Sequence, residues 1–202
     1  MEELGLFPLS IVLVPGERVP LHVFEPRYKE LIGECLAEES AFGLLYEDDE
    51  GVREVGTRAA VVEVLRRYPG GRLDVVVEGR ERFRLVEETA GRSFRTGRVE
   101  PVADERGEPA ERDRERALEL YRRVAELAGV EAEDLEAAES LAFELAARVE
   151  LPLAAKQDLL ELRSEGERLR LVAELLERAA RRLEERPGRQ AMAARNGRPP
   201  FR

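Results

Sequence analysis

The sequence predicts an α+β protein in which a β-rich N-terminal part precedes a helical C-terminal part. Up to about Val102, short apolar runs alternate with Pro and Gly turn signals, which is typical of an antiparallel barrel or folded sheet. After Val102, apolar residues recur at spacings of three and four, the pattern of amphipathic helices. A chain of 202 residues with 43% hydrophobic and 38% charged residues is large enough to bury a substantial core.

The β-rich part divides into seven predicted strands, each bounded by turn residues. Pro69-Gly70-Gly71 is the strongest turn signal, because glycine supplies the positive φ that a tight turn requires. The predicted strands are LFPLSIVLV, RVPLHVF, AFGLLYE, GTRAAVVEVLRRY, RLDVVVEG, RERFRLVEE and SFRTGRVEPV.

One helix interrupts the strands, and it begins within the segment PLHVFEPRYKELIGECL. Pro26 suits the first helical position, where its missing N–H is not needed. This segment contains the single histidine and the single cysteine of the chain. We expect Cys35 to be a small buried hydrophobe on the apolar helix face. We expect His22 to be packed with one satisfied hydrogen bond, and Phe24 and Tyr28 to pack as well.

The helical part contains four predicted helices. The first runs from Leu118 to Ala128 and ends at Gly129, the second runs from Leu135 to Val149, and Pro152 opens the third. A capping box, Ser164-Glu165-Gly166-Glu167, starts the fourth, which Pro187-Gly188 ends. We therefore expect a β-rich domain over residues 1–103, a helical bundle over 108–186 and a disordered tail over 187–202, with the polar segment ADERGEPAERD as linker.

Charge and composition exclude several function classes. The formal net charge is −10, and residues 1–105 carry 22 acidic and 14 basic side chains. An acidic N-terminal part argues against nucleic acid as the main ligand, because phosphate binding needs a positive face. A single cysteine forms no internal disulfide, which fits the cytoplasm. No segment approaches the roughly 18 apolar residues of a membrane span, so we expect no membrane partner.

Candidate catalytic and metal-binding residues are few. One His and one Cys do not make a typical structural zinc site, and a Ser-His-Asp arrangement would depend on His22 alone. A Ser–Lys dyad would need Lys29 or Lys156, and neither lies near a serine with a nucleophile-elbow pattern. No Walker A or dinucleotide-binding motif is present, and the acids at Asp48–Glu50 fit a solvated hairpin tip. We therefore predict no catalytic residues, no metal and no cofactor.

Several ordered blocks resemble one known family. The segment LFPLSIVLVPGERVPLHVFEPRYKELIGECL resembles the opening of the N-terminal substrate-recognition domain of the ATP-dependent Lon proteases. In that family an LPL or FPL motif precedes a Pro-Gly turn and a PLHIFEPRYR-like corner. AFGLLY, VGTRAAVVEVLRRYPGGRLDVVVEGRERFRL and LAARVELPLAAKQDLLELRSEGERLRLVAELLE are similar to later parts of the same domain. The resemblance covers about Leu4 to Glu185.

The resemblance implies a PUA-like β pseudo-barrel followed by a small helical bundle, and it implies polypeptide recognition. A full Lon protease also has an ATPase module with a Walker A motif and a protease domain with a Ser–Lys dyad, and this sequence shows neither. We therefore expect a stand-alone substrate-binding domain without its own catalysis. Its expected partners are unfolded or exposed polypeptide segments, which it would bind as an adaptor or chaperone-like factor.

The corner after the second strand is the predicted binding region. Glu25, Arg27 and Lys29 are charged and close to the turn, so they are candidates for a binding rim; the alternative is a Glu25–Arg salt bridge that fixes the corner. Weaker candidates at strand ends, most of which we expect in the core, are Phe7, Leu9 and Leu45. Two other functions stay open: a PUA-like nucleic-acid or small-ligand binder, and a hydrolase whose nucleophile the sequence does not reveal.

Overall fold

The computed structural model describes residues 2–185 and confirms a mostly antiparallel α+β fold. The strands are β1 (Glu2–Leu9), β2 (Arg18–Val23), β3 (Ala41–Asp48), β4 (Gly51–Val52), β5 (Val55–Arg67), β6 (Leu73–Thr89) and β7 (Thr96–Pro101). The helices are α1 (Pro26–Glu38), α2 (Glu111–Ala128), α3 (Leu141–Arg148), α4 (Leu153–Glu161) and α5 (Glu165–Glu184). The predicted helix end at Pro187-Gly188 and the predicted tail over 187–202 lie outside the described residues.

Five strands form a closed ring. Their order is β1-β7-β6-β5-β3, and β1 also pairs in parallel with β3, from Leu6 opposite Gly43 to Leu9 opposite Tyr46. The other pairings are antiparallel, with β2 added to β6 and β4 added to β3. Pairing β1 with both β7 and β3 leaves the ring without a free edge, which removes the unpaired N–H and C=O groups of an open sheet.

The predicted division of residues 72–88 into two strands is wrong, because β6 is one strand of 17 residues. Gly79 lies inside it rather than at a turn. Its N–H donates to the Glu17 carbonyl and its carbonyl accepts from the Gly16 N–H, both at 2.9 Å. A Cβ at Gly79 would lie 2.2 Å from the Val14 carbonyl oxygen. Glycine here allows a loop to cross close to the strand, a role that a sequence does not distinguish from a turn.

The predicted turn between β5 and β6 is confirmed. Gly70 and Gly71 have φ values of +80° and +78°, the left-handed region that glycine enters without strain. The Tyr68 N–H donates to the Arg72 carbonyl at 2.9 Å, which closes the hairpin. This turn brings Tyr68 and its flanking arginines to the end of a three-stranded part of the sheet, in which β2 and β5 both pair with β6.

The helical part has four helices, and one is shorter than predicted. The predicted helix from Leu135 to Val149 is observed only as α3, Leu141–Arg148. Arg114 of α2 donates to the carbonyls of Glu136 and Ala138, the latter at 3.1 Å, and these bonds occupy acceptors that a helix would use internally. Of the predicted capping box at the start of α5, the bond to the serine is present, since the Glu167 N–H donates to Ser164 Oγ at 3.4 Å.

The helices and the ring share buried contacts. Val12, Val14 and Val55 belong to the same hydrophobic cluster as the buried faces of α2, α3, α4 and α5. A second cluster fills the ring beneath α1, and it includes Phe7 and Tyr28. The two parts of the chain therefore pack on each other as well as on themselves.

A buried ionic network lies at the contact between the ring and the helices. Arg168 of α5 is fully buried and donates to both Asp104 carboxylate oxygens, at 2.7 and 2.6 Å. Arg82 of β6 also pairs with Asp104, and it donates to the carbonyls of Leu160 and Leu162 at 2.6 and 2.7 Å. The polar segment that contains Asp104 is therefore fixed at this point.

Candidate functional site

The corner between β2 and α1 begins at Phe24 and Glu25 and turns into the helix at Pro26. Glu25 has extended backbone angles, φ −68° and ψ 137°, and occupies the N-cap position. Pro26 occupies the first turn, as predicted. Tyr28 is buried and stacks on Phe7, with ring centroids 3.8 Å apart and planes inclined by 21°. This stack anchors the start of α1 to the interior of the ring.

The charged residues of the corner contact one another and the neighbouring turn. An Arg27 guanidinium nitrogen lies 2.9 Å from a Glu25 carboxylate oxygen, and the guanidinium lies 4.5 Å above the Tyr28 ring. The intramolecular salt bridge named above as an alternative is therefore present. Lys29 Nζ donates to the Gly70 carbonyl at 2.7 Å, which links α1 to the β5–β6 turn.

The prediction that Phe24 packs in the core is wrong, because its side chain is 57% exposed. Side chains alternate between the two faces of a strand, and the preceding residue, Val23, is only 1% exposed. Phe24 therefore points away from the core as β2 ends. Its ring lies 5.8 Å from the His22 ring, with the planes inclined by 22°, so the two rings form an exposed aromatic pair.

His22 makes the single hydrogen bond that was predicted, but its side chain is exposed rather than packed. Its Nδ1 lies 2.5 Å from Asp74 Oδ1. The Tyr68 hydroxyl donates to Asp74 Oδ2 at 2.6 Å, so both carboxylate oxygens are engaged. These bonds, from Tyr68 first and then from His22, hold the pKa of Asp74 below its usual value. Hydrogen bonding to Asp74 raises the pKa of Tyr68.

Strand register places this group on one face of the sheet. His22 on β2 and Arg66 on β5 both lie opposite Asp74 on β6. The Arg66 and Arg72 guanidinium carbons lie 4.8 and 5.4 Å from the Tyr68 ring centroid. We name this surface the tip site and define it by His22, Phe24, Lys29, Arg66, Tyr68 and Arg72.

The other three candidate binding residues lie elsewhere. Phe7 and Leu45 are buried in the ring interior, and neither offers its side chain to a partner in this structure. Leu9 is partly buried and packs against the cluster beneath α1. Of the six candidates, Lys29 belongs to the tip site, and Glu25 and Arg27 lie next to it. Phe7, Leu9 and Leu45 lie apart from it.

The sequence analysis missed three residues of the tip site, Arg66, Tyr68 and Arg72. It also missed Asp74, which supports the site. One local signal was available, since the Pro-Gly-Gly turn has Tyr68 and two arginines before it and one arginine after it. The proximity of this turn to His22 depends on pairing β2 with β6, across 52 residues. Register between distant strands is not encoded by local periodicity.

Two residues with potentially reactive side chains, Cys35 and Lys156, are buried in structural positions. Cys35 is buried, and burial raises the pKa of its thiol, which favours the unreactive protonated form near neutral pH. Lys156 is buried in an ion pair with Glu17. Within residues 2–185 no group of three or more His, Cys, Asp or Glu side chains is arranged to hold a metal ion. In the same part of the chain, no helix is both long and apolar enough to cross a membrane.

Two solved structures share this fold. The Lon N-terminal domain protein from Xanthomonas campestris matches with a TM-score of 0.66 and 27% identity, over 88% of this chain and 98% of that one. The N-terminal domain of the Mycobacterium avium complex Lon protease matches with a TM-score of 0.64 over 87% of this chain and 98% of that one. At 20% identity the second match concerns the fold alone. The class is therefore an α+β domain of the Lon N-terminal type.

The chain belongs to the family described as the ATP-dependent protease La (LON) substrate-binding domain, whose model matches residues 3–178. The resemblance drawn from the sequence is thereby confirmed. Relatives include the Lon protease of Anaeromyxobacter dehalogenans, 30% identical over 87% of this chain. The Lon protease of Paraburkholderia phytofirmans is 29% identical over 79% of it. The matches span 23% and 22% of those two proteins.

Proposed function

We propose that this chain is a non-catalytic polypeptide-recognition module that binds exposed segments of unfolded or damaged proteins, as an adaptor or chaperone-like factor of the cytoplasm. Its family is one of substrate-binding domains, which favours a polypeptide ligand. The single observation that carries the proposal is the exposed aromatic pair at the tip site. Large exposed aromatic side chains are typical anchors of protein interfaces, because they bury much area at a low entropic cost.

The corner residues have separate roles in this proposal. Phe24 and His22 supply the contact surface for apolar side chains of the client. Lys29 fixes the turn to α1, and the Glu25–Arg27 pair holds the helix start beside it. Phe7 and Leu9 act indirectly, by packing in the cluster beneath α1, and Leu45 supports the ring from a separate cluster. Asp74 orients His22 and Tyr68 through its two carboxylate oxygens.

The test compares binding of a reduced, alkylated protein with binding of the same protein in its native form. We expect tighter binding of the unfolded form, since folding hides the apolar side chains whose burial drives association. Phe24→Ala is expected to weaken that binding about 10-fold. The same substitution is expected to change the free energy of unfolding by less than about 0.5 kcal/mol, because the side chain is largely exposed.

Val130→Ala provides the matched control, because Val130 is a similarly exposed apolar residue, in the loop after α2. It should leave affinity unchanged. Equal affinity of the wild type for native and unfolded client would reject recognition of unfolded chains. Unchanged affinity in a well-folded Phe24→Ala variant would show that the client does not contact Phe24 at the tip site.

The second candidate function is PUA-like binding of nucleic acid or a small ligand. Exposed aromatic rings next to arginines are a general platform for stacking bases, so the tip site itself favours this candidate over a hydrolase. The net charge of −10 opposes it, because a polyphosphate backbone is repelled by an acidic surface. A small ligand would instead use the cleft of about 730 Å³ between β6 and α3, which is lined by Glu78, Glu81, Asp104 and Glu144.

A further inference from the structure

The basic residues of the tip differ from most others in this chain. In residues 2–185 most arginines form an ion pair with a carboxylate, as Arg18, Arg53, Arg58, Arg95, Arg123 and Arg148 do. Within that part of the chain no ion pair is made by four neighbours of the β5–β6 turn: Lys29, Arg66, Arg67 and Arg72. A chain rich in acidic residues therefore leaves a local group of cations without carboxylate partners.

The nearby carboxylates offset only part of the charge of this group. Asp74 lies opposite Arg66 and its negative charge acts on that side chain, but both of its oxygens are hydrogen-bonded to His22 and Tyr68. Glu25 is paired with Arg27. Residues 64–73, VLRRYPGGRL, contain three arginines and no acid. The exposed end of this hairpin therefore carries positive charge beside the exposed Phe24 and His22 rings.

The cations are held in place although they lack carboxylate partners. Arg66 and Arg72 both lie against the Tyr68 ring, and the Tyr68 hydroxyl is fixed by Asp74. A guanidinium stacked on a ring loses side-chain freedom while its N–H donors stay available at the edge. Less conformational entropy is then lost when an anion binds. Lys29 uses one of its three donors on the Gly70 carbonyl and retains the others.

We infer that the tip site binds acidic polypeptide segments, in which an apolar or aromatic residue lies next to Asp or Glu. This inference rests on the proposed function and adds the charge of the client segment to it. The apolar residue contacts Phe24 and His22, and the carboxylates contact Arg66, Arg72 and Lys29. Although the overall charge of the chain is −10, this end of the part described by residues 2–185 groups cations without carboxylate partners, so it attracts an acidic segment. The charge thereby selects the orientation of the client as well as its sequence.

The test uses three fluorescent peptides of equal length with the same Phe- and Leu-containing core, flanked by Glu, Gln or Lys. At low salt the Glu peptide should bind about 10-fold more tightly than the Gln peptide, and the Lys peptide should bind most weakly. This difference should shrink as salt is raised, because exposed charges are screened over about 8 Å at physiological ionic strength. An oligothymidylate of similar charge serves as the nucleic-acid probe.

Arg66→Gln combined with Arg72→Gln should remove the preference for Glu over Gln while the Gln peptide still binds. Arg106→Gln is the matched control, since Arg106 is exposed and makes no ion pair in residues 2–185, yet lies in the segment between β7 and α2. It should leave the preference intact. Melting curves on each variant report whether it is folded.

The possible outcomes distinguish a failure of the charge preference from a failure of the proposed polypeptide recognition. Equal binding of the Glu and Gln peptides overturns the charge preference and leaves polypeptide recognition standing. Binding of none of the three peptides, with the unfolded protein also unbound, overturns polypeptide recognition itself. Tighter binding of the oligothymidylate than of the Glu peptide overturns the inference in favour of a nucleic-acid ligand.

Discussion

At the scale of single residues, Asp104 lies between two arginines, Arg82 and Arg168, at the contact between the ring and the helices. Burial acts to raise the pKa of this carboxyl, but hydrogen bonds and charge from Arg168, followed by the charge of Arg82, lower the pKa overall. Arg168 is itself fully buried and donates to both carboxylate oxygens. Protonation of Asp104 would therefore leave the buried Arg168 guanidinium with Glu165 as its one remaining charged carboxylate partner, which is costly.

This environment predicts how stability depends on pH. Because the folded-state pKa is below the unfolded value of about 3.9, ionised Asp104 stabilises the fold above that pH, and the contribution is lost as the pH falls through the folded-state pKa. Asp104→Asn should lower the melting temperature at pH 7. It should also flatten the decline of melting temperature below about pH 4.

Asp49→Asn is the control, because Asp49 lies at the β3–β4 turn and makes no ion pair in residues 2–185. Melting curves recorded from pH 7 down to pH 2 on both variants make the comparison. If the melting temperature of Asp104→Asn fell as steeply at low pH as that of the wild type, Asp104 would not be the group responsible for the acid loss of stability.

At the scale of elements, the loop between β1 and β2 crosses β6 at Gly79, where the strand has no side chain. A methyl group at Gly79 would collide with the Val14 backbone, which does not move as freely as a side chain end. We expect Gly79→Ala to destabilise the protein by about 1–3 kcal/mol, as overpacking does. Denaturant unfolding followed by circular dichroism gives the difference directly.

Gly33→Ala makes the control for that experiment. Gly33 lies inside α1, and a Cβ there meets nothing within 4 Å. Alanine favours helix over glycine by roughly 0.5–1 kcal/mol, so this variant should be more stable than the wild type. If both alanine variants shift stability in the same direction, close approach of the loop is not what requires glycine at position 79.

Elements show where sequence reasoning succeeds and where it stops. The β5–β6 turn, the proline at the start of α1 and the Ser164 cap are local, and each was predicted from adjacent residues. The prediction of a helix through Leu135 was wrong. Arg114, more than 20 residues away, donates hydrogen bonds to the carbonyls of Glu136 and Ala138. Phe24 was assigned to the core on its residue type, although strand alternation after Val23 exposes it.

The candidate site was predictable only in part, for the same reason. The corner was found because its residues are consecutive, and Glu25, Arg27 and Lys29 do lie beside the tip site. The partners of His22 lie on β6 and in the β5–β6 turn. Their proximity to His22 depends on which strands pair and in which register. Such pairing is set by packing throughout the ring, so one sequence window does not specify it.

At the scale of the whole molecule, we propose that residues 1–103 and 108–186 are two structural parts, a β domain and a helical bundle, that unfold as one unit. Support comes from Val12, Val14 and Val55, which are buried among the helices. The Arg163 side chain donates to the Ala103 carbonyl at 2.9 Å, and the Arg163 carbonyl accepts the Glu105 N–H at 2.9 Å. The segment between the two parts has no regular secondary structure, but its backbone is hydrogen-bonded to Arg163.

Limited proteolysis tests this arrangement. Cleavage within Ala103–Glu108 should give a β-rich and a helical fragment that elute together in size-exclusion chromatography. They should separate only after denaturant is added, because the shared cluster and the Asp104 network survive one backbone cut. A first cut inside Asp74–Leu85 would show that the boundary is misplaced, and fragments that separate without denaturant would show that the contact between the parts is weak.

The closed ring also joins strands that are synthesised far apart in time. β1 is complete after residue 9, but its partner β7 ends at Pro101. At roughly 5–20 residues per second, the ribosome needs several seconds to make that partner. During this interval the apolar first strand has an unpaired edge, and β3 is its first available neighbour. We therefore expect nascent chains shorter than about 100 residues to expose the β1 edge that β7 covers in the complete ring, and an exposed edge of this kind is prone to association.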